Sequence, residues 1–143
     1  MNKLFSISSL LLALLTSTSA VAEPVVVIVN SANAQAVSQA DVKAIYNDKS
    51  NAWANGEKIT AYNLPPEDAA AEKFASKVLG SSARDAAAAE SNRAVTNTSR
   101  NPQQTKRDAL VASMVAKTPS AIGYVPKLSA EGKTGVKVLF TLE

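Results

Sequence analysis

The chain has 143 residues, contains no cysteine and no histidine, and carries a formal net charge of +3 at pH 7. The lack of these two residue types excludes disulfides, thiolate and imidazole metal sites, histidine acid–base catalysis and the usual serine triad. The small charge excess and an aromatic content of 5% also argue against nucleic acid as a partner, because such proteins concentrate basic and stacking side chains on one face.

The first 22 residues have the features of a secretory signal peptide. Lys3 precedes an apolar stretch from Leu4 to Leu15, and Ala20 and Ala22 form an A-x-A exit. The apolar stretch is shorter than the roughly 20 residues that a spanning helix needs, so we prefer a cleaved signal to a retained anchor. We expect cleavage after Ala22, a periplasmic protein with no membrane anchor after cleavage, and a single domain over residues 23–143.

Strand and helix signals alternate along that domain. Strands are predicted at 25–30, 59–63, 121–125 and 136–142. Three helices are predicted to begin at N-caps, which are Ser38, then Ser81 or Ser82, and then Asn101, and a fourth helix is predicted with Pro66 in its first turn. Residues 92–100 are predicted to be a loop. Alternation of this kind indicates an α/β fold. We predict a three-layer α/β/α sandwich with a mostly parallel sheet of four or five strands.

Acidic residues cluster at the predicted helix start after Pro66. Glu67, Asp68 and Glu72 could form a paired-carboxylate or metal site, but two acids in a first turn are ordinary complements of the helix dipole, which is the interpretation we prefer. The five glycines are scattered singly, so no phosphate-cradling loop is present. We expect no cofactor, no metal and no enzymatic activity.

A run without acidic residues lies between Glu90 and Asp108 and contains Arg93, Arg100, Lys106 and Arg107. Arginine binds oxyanions through paired donors, and free N–H groups at a helix start near Gln103 would add to such binding. The candidate ligand-binding residues are Ser31, Asn33, Arg93, Arg100, Gln103 and Gln104. The alternative, which we favour, is a solvated loop followed by an ordinary helix face.

Two aromatic residues are candidates for an interaction surface at an exposed end of the sheet. Trp53 precedes the predicted second strand, and Tyr62 lies within it. Trp53 is more often a core anchor than a platform for a ligand, so this alternative stays open.

Four segments together resemble the phosphate-type periplasmic binding protein family. They are the strand at 25–30, the stretch at 40–59 with its helix, tryptophan and turn, the helix end at 74–80, and residues 115–125 with their Ala-Ile-Gly-Tyr strand. The resemblance implies one lobe of a type II periplasmic binding protein. Full-length members are about twice this size and close two lobes on the ligand, so the chain is similar to the small, stand-alone members.

The resemblance also locates the family's phosphate motif, which is an arginine followed four residues later by Ser-Gly-Thr. Counting back from Phe74 places Leu64 at the arginine and Asp68, Ala69 and Ala70 at Ser-Gly-Thr. The motif is missing. An acidic pair at this point would repel phosphate, which argues against binding in the family's manner.

The resemblance implies a periplasmic phosphate ABC transporter substrate-binding-like protein, that is, a non-catalytic module for a small oxyanion such as phosphate. The alternative is a degenerate lobe that acts as a protein–protein interaction module and docks on an envelope protein or on itself. A one-lobe chain cannot bury a ligand alone, so tight binding would require a homodimer or a partner that supplies the missing wall.

Overall fold

The structure, a computed structural model, describes residues 23–143; the predicted signal peptide and its cleavage site lie outside the described residues. The strands are β1 (Val25–Asn30), β2 (Thr60–Asn63), β3 (Gln104–Thr105), β4 (Ala121–Pro126) and β5 (Val136–Leu142). The helices are α1 (Gln39–Tyr46), α2 (Ala69–Phe74) with a π-helical continuation over Ala75–Leu79, α3 (Ala83–Val95), α4 (Asp108–Lys117) and α5 (Lys127–Ala130). Over these residues, no helix is long and apolar enough to cross a bilayer.

The five strands form one sheet in the order β3-β2-β4-β1-β5. β2 pairs in parallel with β3 and with β4, whereas β1 lies between β4 and β5 and runs against both. Four strands therefore point in one direction, which confirms the predicted mostly parallel sheet. Every residue of β1 is buried, as expected for a β-branched run that is covered on both faces.

Helices cover both faces of the sheet. On one face, Gly123 of β4 lies under α4, so close that an added Cβ would be 2.7 Å from Cγ1 of Val111. On the other face, the neighbouring Tyr124 packs against Tyr46 of α1 and Phe74 of α2. The predicted three-layer sandwich is confirmed.

The sequence correctly indicates the start of α1 and the end of the π-helical segment that continues α2. Ser38 caps α1, because its hydroxyl accepts from the Asp41 amide at 3.1 Å and the Asp41 carboxylate accepts from the Ser38 amide at 2.9 Å. The bonds that the Asp41 carboxylate accepts from the Ser38 amide and hydroxyl lower the pKa of Asp41. Gly80 ends the π-helical segment in the left-handed conformation, with φ of 72°. However, α2 begins at Ala69, so Pro66, which was predicted to lie in its first turn, precedes the helix.

Two other predictions were wrong. α3 continues to Val95 instead of giving way to loop at residue 92, and it ends only where Asn97 turns left-handed with φ of 54°. No helix starts at Asn101, because its side-chain amide donates to the Ile59 carbonyl at 2.7 Å and the chain then pairs with β2 as β3. α4 starts only at Asp108.

The close approach at Gly123 gives a test of the packing between sheet and α4. Gly123→Ala should lower the free energy of unfolding by about 1–3 kcal/mol, because the new methyl overpacks against Val111. Gly132→Ala is the control: its Cβ would meet open space, but its φ of +68° strains the backbone. Urea unfolding should show the larger loss for Gly123→Ala, and an equal or smaller loss would contradict the packing described.

Candidate functional site

A network of side-chain amides lies at the end of the sheet where β2 finishes. The Tyr124 hydroxyl donates to Oδ1 of Asn63 and accepts from the Leu64 amide at 3.2 Å. Nδ2 of Asn63 donates to Oε1 of Gln103 at 2.6 Å, and Nε2 of Gln103 donates to the Tyr46 carbonyl at 2.9 Å. Asn63 thus connects β2, β4 and the loop before β3.

Three aromatic rings form the floor beneath this network. Phe74 stacks on Tyr124 with centroids 3.9 Å apart, and Tyr46 meets both rings edge-on. The Tyr46 hydroxyl donates to the Tyr62 carbonyl at 2.6 Å. Burial raises the pKa of Tyr46 and Tyr124 well above the ordinary value; for Tyr124 the bond from the Leu64 amide opposes the increase.

These raised pKa values make the fold sensitive to alkali. Above about pH 10 an unfolded tyrosine releases its proton while Tyr124 in the fold keeps it, so stability must fall as the pH rises. Tyr124→Phe should weaken this decline, although it costs about 1–3 kcal/mol at neutral pH because Asn63 loses a partner. Unfolding curves at neutral and alkaline pH test this, and an equally steep decline in the variant would contradict it.

The carboxylate of Glu90, on α3, also belongs to this network. Oε1 of Glu90 accepts from the backbone amide of Gln103 at 2.9 Å, and Oε2 lies 2.8 Å from Nη2 of Arg93. One of the two predicted anion-binding arginines is therefore already paired. A cavity of about 220 Å³, here called the α2–α3 cavity, opens beside Glu90 and Gln103.

A second cavity, of about 290 Å³, lies near the start of α2 and is here called the acidic cavity. Glu23, Asp68 and Asp108 contribute carboxylates, and Lys73 is the one basic residue in its lining. Asp68 is exposed and makes no capping bond with its side chain, while Asp108 accepts from the Ser129 hydroxyl at 2.8 Å. Three carboxylates around one cavity disfavour the binding of an oxyanion there.

The predicted ligand-binding residues do not form one site. Ser31 and Asn33 follow β1, and Gln103 precedes β3 at the edge of the sheet, so β2 and β4 lie between the two groups. Asn33 is buried and accepts from the Gln35 amide, and its Nδ2 has no partner. The candidate residues therefore lie in two groups, one after β1 and one around the loop before β3.

The backbone amides of the loop before β3 are also used within the chain, whereas the side chain of Arg100 is exposed. The backbone amides of Arg100 and Asn101 donate to the Asp48 carboxylate at 2.7 and 3.0 Å. The Gln103 amide donates to Glu90, and Gln104 is exposed in β3. Two carboxylates of the chain thus occupy the amides that were predicted to receive an external anion.

The predicted interaction surface is buried. Trp53 is 6% exposed and donates its indole N–H to the Ser120 carbonyl at 2.9 Å, and Tyr62 is 2% exposed. Both side chains belong to the core, so they do not form an exposed surface. For Trp53, the alternative of a core anchor is the correct one.

Sequence reasoning missed three residues of the site. Asn63 could have been noticed as a polar residue that ends an apolar strand, and Glu90 as the acid that precedes the basic run. Tyr124 gave no signal, because only the fold reveals its hydroxyl partner. Within the part of the chain that the structure describes, no three acidic residues are placed to hold a metal ion.

The fold is shared with solved binding proteins. An ABC-type phosphate transport receptor from Vibrio cholerae superimposes with a TM-score of 0.61 at 15% identity, over 82% of this chain and 45% of the receptor. A possible phosphate binding protein from Planctomyces limnophilus gives a TM-score of 0.60 at 18% identity, over 82% and 40%. The chain therefore spans less than half the length of these proteins. At this level of identity, the similarity shows a shared fold and nothing more.

No protein-family model and no curated protein matches the sequence.

Proposed function

We propose that the protein is a non-catalytic binding module of the cell envelope, exported by its predicted signal peptide and equivalent to one lobe of a solute-binding protein. The shared fold with two phosphate-type binding proteins supports this proposal. So does the sequence, which has neither the histidine nor the cysteine that most proton-transfer and nucleophilic sites use.

The ligand we propose is not a free oxyanion bound in the family's manner. One observation supports this most strongly: the backbone amides at Arg100, Asn101 and Gln103 are already bonded to carboxylates of the chain. At the start of α2, where the resemblance places the phosphate motif, the side chains are the exposed Glu67 and Asp68. A phosphate at the amides of residues 100–103 would have to displace a carboxylate of the chain. A phosphate at the start of α2 would have to approach Glu67 and Asp68.

Titration calorimetry at low salt tests this part of the proposal. We expect no measurable heat with inorganic phosphate or sulfate at millimolar concentration. Glu67→Gln with Asp68→Asn should at most allow weak, salt-sensitive binding, because removing repulsion does not restore the missing donors. Micromolar binding to the natural protein would instead identify it as an oxyanion receptor with a rebuilt site.

Docking of a second copy is the second candidate function, and exposed leucines favour it. Leu110 is 46% exposed at the start of α4, and Leu128 is 69% exposed in α5. The bond between Asp108 and Ser129 holds these two helices together beside the acidic cavity. Apolar side chains exposed beside a cavity are typical of interaction sites.

Charges around these leucines are arranged in a self-complementary way. Arg107 and Lys127 are exposed near them, and Glu67 and Asp68 are exposed before α2. A two-fold axis through this surface would bring the acidic pair of one copy toward the basic pair of the other. A second copy could in this way supply the wall that a single lobe lacks.

Sedimentation at several protein concentrations tests this docking. We expect concentration-dependent association that Leu128→Asp weakens at least tenfold, because the substitution places a charge in the apolar contact. Val95→Asp is the matched control, since Val95 is 83% exposed on α3, outside this surface. A monomer at all concentrations, or equal effects of the two substitutions, would contradict the docking.

A further inference from the structure

The α2–α3 cavity is not used by either proposal above. Its wall is mainly apolar and is lined by Leu64, Pro66, Ala71, Phe74, Ala75, Leu79, Ala83, Ala86 and Ala87. Ala83 is the only fully buried residue among the thirteen of α3, so this helix packs loosely on its neighbours. Alanine side chains on both sides are too small to close the gap, which is why a cavity of about 220 Å³ remains.

Fixed hydrogen-bond acceptors face this apolar wall. Glu90 and Gln103 line the cavity, and the bonds from Arg93 and Asn63 hold their side chains in place. Each of their oxygens accepts one bond, although a carboxylate or amide oxygen can accept two. Glu90 is the only charged residue in the lining; Arg93, which is not in the lining, pairs with its Oε2 and offsets part of its negative charge.

The backbone of the cavity wall is also unusual. Ala75 and Leu79 are the first and last residues of the π-helical segment, and both line the cavity. Such segments are rare and occur frequently at functional sites. This observation is independent of the side chains that supply the charge.

We infer that the α2–α3 cavity binds a small amine-bearing molecule with an apolar body. Phe74, Leu79 and the alanines would contact the apolar part, and the ammonium would donate to Glu90 and Gln103. The volume suits a molecule of one ring, since an apolar cavity of about 150 Å³ is known to hold benzene. A carboxylate or phosphate of the same size would face Glu90 without a partner.

Benzylamine and benzoate are a matched pair of probes, because they have similar shapes and opposite charges. We would follow the amide resonances of the isotope-labelled protein by NMR during titration at pH 7. Benzylamine should shift resonances around residues 83–90 and bind at least about tenfold more tightly than benzoate. General electrostatics would favour the opposite order, because the protein carries a net positive charge.

Two variants on α3 locate the binding. Ala86→Leu should fill the cavity and weaken benzylamine binding at least about tenfold. Ala88→Leu, on the exposed side of the same helix, should change it less than about twofold. Glu90→Gln should reduce the preference for benzylamine over benzoate to about threefold or less, with the dispersed resonances of a folded protein retained.

Each outcome decides the inference. Selective binding of benzylamine that Ala86→Leu abolishes and Ala88→Leu spares would support it. No shifts at about 10 mM benzylamine, equal binding of benzoate, or equal effects of the two leucine variants would overturn it. Inorganic phosphate in the same experiment reports separately on the proposed function, because its expected result is no shift in this cavity.

Discussion

Asn63 is the residue on which the arrangement of the site depends. Its side-chain oxygen Oδ1 accepts from the Tyr124 hydroxyl, and its side-chain nitrogen Nδ2 donates to Gln103. One side chain therefore fixes strand β4 and the loop before β3 relative to β2. Gln103 then presents its backbone amide to Glu90 of α3. Because these groups are partly buried, each depends on its partner, and the loss of one would leave others unsatisfied.

The same network argues against an oxyanion site in the loop before β3. An oxyanion site needs several donors that are free in the absence of ligand and point to one place. Here Asp48 and Glu90 accept from the amides of the loop between residues 100 and 103. Carboxylates of the chain therefore occupy the amides at which an external anion would gain most.

Local signals predicted the elements well wherever one residue type decides the backbone. The β-branched run of β1, the capping box at Ser38 and the left-handed Gly80 are of this kind. Asn101 was misassigned because a cap and a long-range bond require the same side chain, and the sequence does not show the Ile59 carbonyl that binds it. The arrangement of the candidate residues was hidden for a related reason: β2 and β4 lie between Asn33, after β1, and Gln103, before β3, and strand order is a property of the sheet.

A crystal structure determined at high phosphate concentration would test the central claim most directly, namely that carboxylates of the chain occupy the donors an oxyanion would use. The account predicts that Asp48 still accepts from the amides of Arg100 and Asn101 and that Glu90 still accepts from Gln103, with no phosphate at the start of α2. A phosphate bound to those amides, with Asp48 or Glu90 turned away, would contradict it.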